Sequence, residues 1–157
     1  MAATRINHVS ISARDVAESV RFYVEVFGME PVATPDFGFP VQWLRLGDVQ
    51  LHVFEHTQRE APISHHVAIE VDDFERVLRA VRERGIEDRA TFGHWLYRLP
   101  DGAAQLYLRD PGGNLIEVDQ PGADDLDPAL TEEIRPLPRP QVGDAARATL
   151  WVTPRRT

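Results

Sequence analysis

Polar and apolar residues alternate from Ile6 to Ser12, the period-two pattern of a strand with one buried face. The period then lengthens. Asp15 is a good helix N-cap, and Val16, Val20, Tyr23, Val24 and Phe27 fall at i, i+4, i+7, i+8 and i+11, one helical stripe. Gly28 suits the residue just past the helix end. Residues 30–41 hold three prolines and two phenylalanines, which predicts an irregular edge strand and a loop. Gln42 to Leu46, a Gly47-Asp48 turn, and Val49 to Glu55 predict a β-hairpin.

The same order then returns. His56 to Ser64 is a polar linker with one proline. Residues 65–71 predict a strand. Asp72 or Asp73 caps a helix that buries Phe74, Val77, Leu78 and Val81 and ends at Gly85. Strands follow at 91–99, 103–109 and Leu115 to Gln120, separated by Pro100-Asp101-Gly102 and Asp110-Pro111-Gly112-Gly113 turns. Asn7-His8-Val9-Ser10-Ile11 matches His65-His66-Val67-Ala68-Ile69, and 58 residues separate both His8 from His66 and Asp15 from Asp73. An offset held across a strand and a helix start indicates internal duplication. The expected fold is α+β, with two βαβββ modules at 5–56 and 64–122 sharing one core in a domain spanning 5–122. At 157 residues the chain is long enough for that core.

From residue 121 the pattern breaks, with six prolines and an acidic start at Asp124, Asp125 and Asp127. Residues 123–157 form a Pro-rich C-terminal arm, loose or laid along a partner subunit. Within it, Ala129 to Ile134 suits a short helix and Arg147 to Val152 an added edge strand.

Composition narrows the chemistry. The chain has no cysteine, and its 17 basic residues are all arginine. Thiolate nucleophiles, Cys-ligated zinc, Schiff-base lysines and the Gly-Lys phosphate loop are therefore excluded. A net charge of −8 argues against a nucleic-acid or anionic-membrane surface. No apolar run approaches the ~20 residues that span a bilayer, and the N-terminus runs straight into a strand without a secretory core. These features predict a cytoplasmic protein acting on a small molecule.

Superposing the modules pairs their fourth strands as well, Gly47 to His52 over Gly112 to Glu117. The offset there is 65 residues, seven more than at the module starts. Four side chains stand at equivalent points: His8, His52, His66 and Glu117. Neutral imidazoles with a carboxylate suit Fe, Mn, Ni, Zn or Co. A lone strand histidine is more often simply a polar side chain, and Glu117 has the alternative of pairing with Arg45 or Arg98. Yet a carboxylate within Leu115-Ile116-Glu117-Val118 is costly unless it is paired or metal-bound. His65 has the opposite strand parity to His66 and should point away from it.

Three segments resemble the glyoxalase/bleomycin resistance protein/extradiol dioxygenase superfamily, the vicinal-oxygen-chelate proteins. They are Ile6-Asn7-His8-Val9, His65 to Asp72, and Leu106 to Glu117, within a resemblance covering residues 5 to 120. The resemblance implies an open, incomplete barrel of βαβββ modules around one divalent metal, with His8, His66 and Glu117 as ligands. His52 falls near the acid–base histidine of ring-cleaving members, and Tyr107, ten residues before Glu117, on their active-site tyrosine. Simple hairpin parity would set Tyr107 and Glu117 on opposite faces unless the intervening turn carries a bulge. Glyoxalase and epimerase members instead keep a glutamate where His52 stands. The implied activity is an extradiol-type dioxygenase acting on a catecholic or enediol substrate, using Fe2+ or Mn2+ in preference to Zn2+, Ni2+ or Co2+, as a homodimer. The alternatives are a glyoxalase-like lyase or isomerase, and a non-catalytic drug-binding resistance protein.

Overall fold

A computed structural model describes residues 6–56 and 62–150. The first module runs β1 (His8–Ala13), α1 (Val16–Phe27), β2 (Glu30–Val32), β3 (Val41–Leu46) and β4 (Val49–Glu55). The second runs β5 (His66–Glu70), α2 (Phe74–Arg84), β6 (Leu96–Arg98), β7 (Ala104–Arg109) and β8 (Leu115–Gln120). After these come α3 (Pro128–Thr131) and a two-residue strand, β9 (Arg135–Pro136). The linker residues 57–61 lie outside the described residues. No described helix is long and apolar enough to cross a membrane.

Both long helices begin and end as their sequences require. Asp15 accepts from the Glu18 N–H and Asp73 from the Arg76 N–H, each at 2.9 Å. Gly28 and Gly85 close the helices at φ 66° and 63°, a conformation that costs glycine nothing. Helix α2 buries the four residues expected of it. Helix α1 is rotated from its expected stripe: Ser19, Phe22, Tyr23, Val26 and Phe27 are buried, while Val24 is exposed. Phe22 and Val26 supply more apolar surface than Val20 and Val24, and burial follows the larger gain.

The chain forms two compact units. One contains the chain up to His65 together with Arg109–Asn114; the other contains His66–Leu108 and the chain from Leu115 onward. The first unit holds a mixed sheet ordered β1-β4-β3-β2 and the second a sheet ordered β5-β8-β7-β6-β9. Neither sheet closes into a barrel on itself. In each, the module's first strand pairs in parallel with its last. Ile11, Ala13, Leu44, Leu51 and Val53 fill the core of the first unit, and Ile69, Leu106, Leu108, Ile116 and Val118 that of the second.

Three expected elements differ. The strand foreseen at 91–99 shrinks to Leu96–Arg98. Asp88 accepts from the Ala90 and Thr91 N–H groups at 3.1 and 2.8 Å, which curls the chain before the strand begins. The arm's helix is only Pro128–Thr131. Arg135–Pro136 is an added strand parallel to β6; of the strand expected at 147–152, residues 147–150 form none, a 3-10 turn running over 145–147, and the rest lies outside the described residues.

Asp110 organises the turn of the first unit. Its carboxylate, 4% exposed, accepts from the Tyr23 hydroxyl at 2.7 Å and the Asn114 N–H at 2.7 Å. The Asn114 amide donates to both Asp110 oxygens and to the Ser12 carbonyl, the last at 2.7 Å. Gly112 is crowded against the same carbonyl: a Cβ there would stand 2.5 Å from Ser12 O. The Asp-Pro-Gly-Gly-Asn run is thus a docking device for β1 and α1.

Burial raises the Asp110 pKa above its ordinary 3.8, opposed by the bonds from Asn114 and Tyr23. A raised carboxylic pKa favours the folded state below the unfolded-state value, and this contribution is lost as pH rises through the folded-state value. The Tyr23 bond limits that loss because it is stronger to the anion. Tyr23→Phe should therefore destabilise by about 1–3 kcal/mol at neutral pH, and by less near about pH 4. Urea denaturation of both proteins at the two pH values tests this; an equal difference at both would mean that the bond does not sense the carboxylate charge.

Candidate active site

In the first unit, β1 and β4 set their functional residues on one face. His8 pairs with Gln50 and Ser10 with His52, so His52 is one pleat beyond the partner of His8. The His8 and His52 rings stack at 4.2 Å with planes 12° apart. On the other side of His52, from the paired position on β3, Trp43 stacks at 4.4 Å and 6°. Phe54, Phe37 and Phe39 continue this aromatic surface. Asn7 Oδ1 lies 2.9 Å from His8 Nδ1 and Gln50 Oε1 2.9 Å from His52 Nε2. Both oxygens are acceptors, so they select the tautomers that leave His8 Nε2 and His52 Nδ1 bare. Burial, and then the proximity of His8, lowers the His52 pKa, which holds the sandwiched imidazole neutral.

In the second unit the register repeats. His66 pairs with Leu115 and Ala68 with Glu117, so Glu117 is one pleat beyond the partner of His66. His66 Nε2 lies 3.2 Å from Glu117 Oε2. Tyr107 joins this face, its ring 6.2 Å from His66 and 4.7 Å from Phe92. The expected parity conflict does not arise. The Asp110 N–H bonds the Asn114 carbonyl at 3.1 Å, closing the β7–β8 turn between those residues. Counting back from that pair brings Tyr107 opposite Glu117 and Gln105 opposite Asp119. Burial, and then the neighbouring carboxylates of Glu117 and Asp119, raises the Tyr107 pKa. Burial and the charge of Glu117 likewise raise that of Asp119.

The candidates therefore come together in small sets, His8 with His52 in one unit and His66 with Glu117 and Tyr107 in the other. Among the described residues, no group of three or more His, Asp or Glu side chains gathers into a metal-binding cluster. His94 is buried, with Nε2 2.9 Å from the Glu133 carbonyl, a structural role.

A model of the glyoxalase/bleomycin resistance protein/dioxygenase superfamily matches residues 5–118. The chain belongs to that superfamily. Among similar proteins, the mitochondrial methylmalonyl-CoA epimerase of Bos taurus is 28% identical over 135 residues, covering 74% of each chain. Glyoxylase I 4 of Arabidopsis thaliana is 27% identical, covering 73% of this chain and 70% of its own. A solved structure of a putative glyoxalase family protein from Bacillus anthracis superposes with a TM-score of 0.59 at 25% identity, covering 74% of this chain and 94% of that one.

Members of the superfamily typically use a divalent metal, and the donor atoms here suit one. Two ligand atoms at right angles, each about 2.1 Å from one cation, stand roughly 3 Å apart. The observed His66–Glu117 separation of 3.2 Å agrees. Glu117 is 5% exposed, and the arginines considered as its partners are engaged elsewhere, Arg45 with Glu30 and Arg98 with Asp124. His66 and Glu117, with Asp119 on the same strand face, are the donor types that a divalent cation takes.

Sequence reasoning passed over Gln105 and Asp119, although their spacing of two from Tyr107 and Glu117 assigns them to the same face. The contact of Trp43 with His52 follows from the β3–β4 register. Phe92 lies in irregular chain and left no periodic signal. Two surface grooves of about 300 and 350 Å3 run beside the arm at Arg98 and Pro136, lined by none of the candidate residues.

Two carboxyl groups buried near each other on one strand face repel when both are ionised, which is part of what raises the Asp119 pKa. Glu117→Gln should therefore raise the metal-free protein's unfolding free energy by about 1 kcal/mol while weakening divalent-cation binding. Calorimetric unfolding in chelator, with and without the substitution, tests this; a destabilised variant would mean that the His66–Glu117 pair itself stabilises the fold.

Proposed function

We propose that the chain is a divalent-metal-dependent enzyme that binds a small molecule through two adjacent oxygens, most like an extradiol-type dioxygenase. The observation that carries this reading is the repeated register, which sets His52 beside His8 and Glu117 beside His66. His8, His66 and Glu117 are the ligands in this proposal, and Fe2+ or Mn2+ the favoured ions. A cation held there would supply Lewis acidity to the paired substrate oxygens and, as Fe2+ or Mn2+, the redox capacity that O2 chemistry needs. The residues around it do the rest. His52, kept neutral between Trp43 and His8, accepts a substrate hydroxyl proton at Nδ1 and returns it later. Tyr107 orients the substrate through its hydroxyl. The aromatic surface of Trp43, Phe54, Phe37 and Phe39 suits a ring-bearing substrate.

A second reading, a proton-transferring isomerase or lyase, is supported by the 28% identity with the epimerase. It gives His52 the role of base. Against it, that position holds no carboxylate, and Glu55 is exposed on the opposite face of β4. In either reading the enzyme acts as a cytoplasmic homodimer. A cysteine-free chain suits a reducing compartment, and light scattering in solution measures the oligomer.

The test begins with the metal content of protein purified without added metal, followed by anaerobic Fe2+ loading and O2 uptake with catechols. Metal-dependent uptake should appear, and His8→Ala or Glu117→Ala should each reduce metal affinity and turnover on the order of 100-fold or more. Bound metal should raise the melting temperature of the wild type but not of Glu117→Ala. Metal-dependent deuterium exchange into methylmalonyl-CoA without O2 uptake would favour the isomerase. Ligand binding that survives without metal would sink both enzyme readings in favour of a drug-binding protein.

A further inference from the structure

Four polar side chains share one face of β7 and β8, and all are buried: Gln105 is 6% exposed, Tyr107 7%, Glu117 5% and Asp119 3%. Burying four such groups is costly unless each is hydrogen-bonded, and the bonds they make are directional. Gln105 Nε2 donates to Asp119 Oδ1 at 3.2 Å. Gln105 Oε1 accepts from the Tyr107 hydroxyl at 2.8 Å. Gln105 thus presents its amide NH2 to Asp119 and its amide oxygen to the Tyr107 hydroxyl. The single Tyr107 proton goes to Gln105 Oε1, while the Glu117 carboxylate, opposite Tyr107 across the β7–β8 pair, is the neighbouring acceptor that the proton would otherwise meet.

We propose that Gln105 is a positioning residue: locked in orientation by Asp119, it draws the Tyr107 proton away from Glu117. The Glu117 carboxylate then keeps its lone pairs for a divalent cation, and the Tyr107 oxygen meets the site as an acceptor. The proposal rests on reading Glu117 as a metal ligand. Groups one shell out that orient a ligand or hold its charge typically change metal affinity 10- to 100-fold when removed. A purely structural Gln105, present only to satisfy Asp119, would influence the cation independently of Tyr107.

That difference sets the experiment. Co2+ is the probe, because its visible absorption reports binding without turnover. Gln105→Leu removes the competing acceptor and leaves the Tyr107 proton to Glu117, so Co2+ affinity should fall about tenfold. Asp119→Asn is the near-isosteric second variant and guards against misfolding. The amide it introduces can donate to Gln105 Oε1, which flips the Gln105 amide and releases the Tyr107 proton in the same way. Asp119→Asn also removes a negative charge, so each variant is repeated in a Tyr107→Phe background, which has no proton to redirect. The expected result is a loss of affinity that is clear with Tyr107 in place and at least severalfold smaller in the Tyr107→Phe background. Equal losses in the two backgrounds, or no loss in either, overturn the role of Gln105. Co2+ affinity that falls in Glu117→Ala but not in these variants overturns that role alone, whereas affinity unchanged in Glu117→Ala overturns the ligand reading and the proposal with it.

Discussion

The parallel pairing of the first and last strands within each module is the constraint on which the site depends. A βαβββ chain returns its fourth strand beside its first only if the helix crosses over one face, and α1 and α2 do so in both modules. The opposite face is then free to carry polar chemistry. His8 pairs with Gln50 and His66 with Leu115, separations of 42 and 49 residues. The difference of seven is the same seven by which the sequence offset grows from the module starts to the fourth strands. In each module the second candidate residue, His52 or Glu117, stands one pleat beyond the histidine's partner. The duplication is thus preserved in backbone register, not only in residue type.

What the two modules share in geometry they do not share in electrostatics. His52 lies between two rings, where a flat neutral imidazole packs well and a charged one is penalised by burial. Glu117 lies in a strand buried on both faces, with Asp119 two residues on. One module therefore holds a neutral imidazole, and the other holds two buried carboxyl groups on one strand face.

Much of this was legible in the sequence because it depends on local rules. Strand alternation, the Asp caps and the closing glycines each follow from one or a few neighbouring residues. The misread features all involve competition or distance. The α1 stripe rotated because two apolar stripes overlap on that helix, and only packing decides between them. The β6 strand shortened because Asp88 captured two N–H groups ahead of it. The face of Tyr107 turned on whether the turn closes at residue 113 or 114, a difference of one residue that inverts every side chain downstream. Gly113, at φ 85°, and the Asp110–Asn114 bond decide that question together.

The arm illustrates the limit of family-level reading. The superfamily model ends at residue 118, yet the second unit continues through Arg135–Pro136, which extends the sheet beyond β6. An exposed edge strand invites unwanted pairing, and a short strand ending in proline terminates the sheet without offering a new edge. The segment is held by Arg82–Glu133 at 2.8 Å and by the Glu133 carbonyl at His94. It delivers Leu137 onto Tyr97, Tyr107 and Leu115. Tyr107 is therefore fixed from two sides, by the Gln105 amide at its hydroxyl and by an apolar residue from outside the shared fold against its ring cluster. Its orientation, unlike that of the metal-ligand candidates, is a property of this chain and not of the duplicated modules alone.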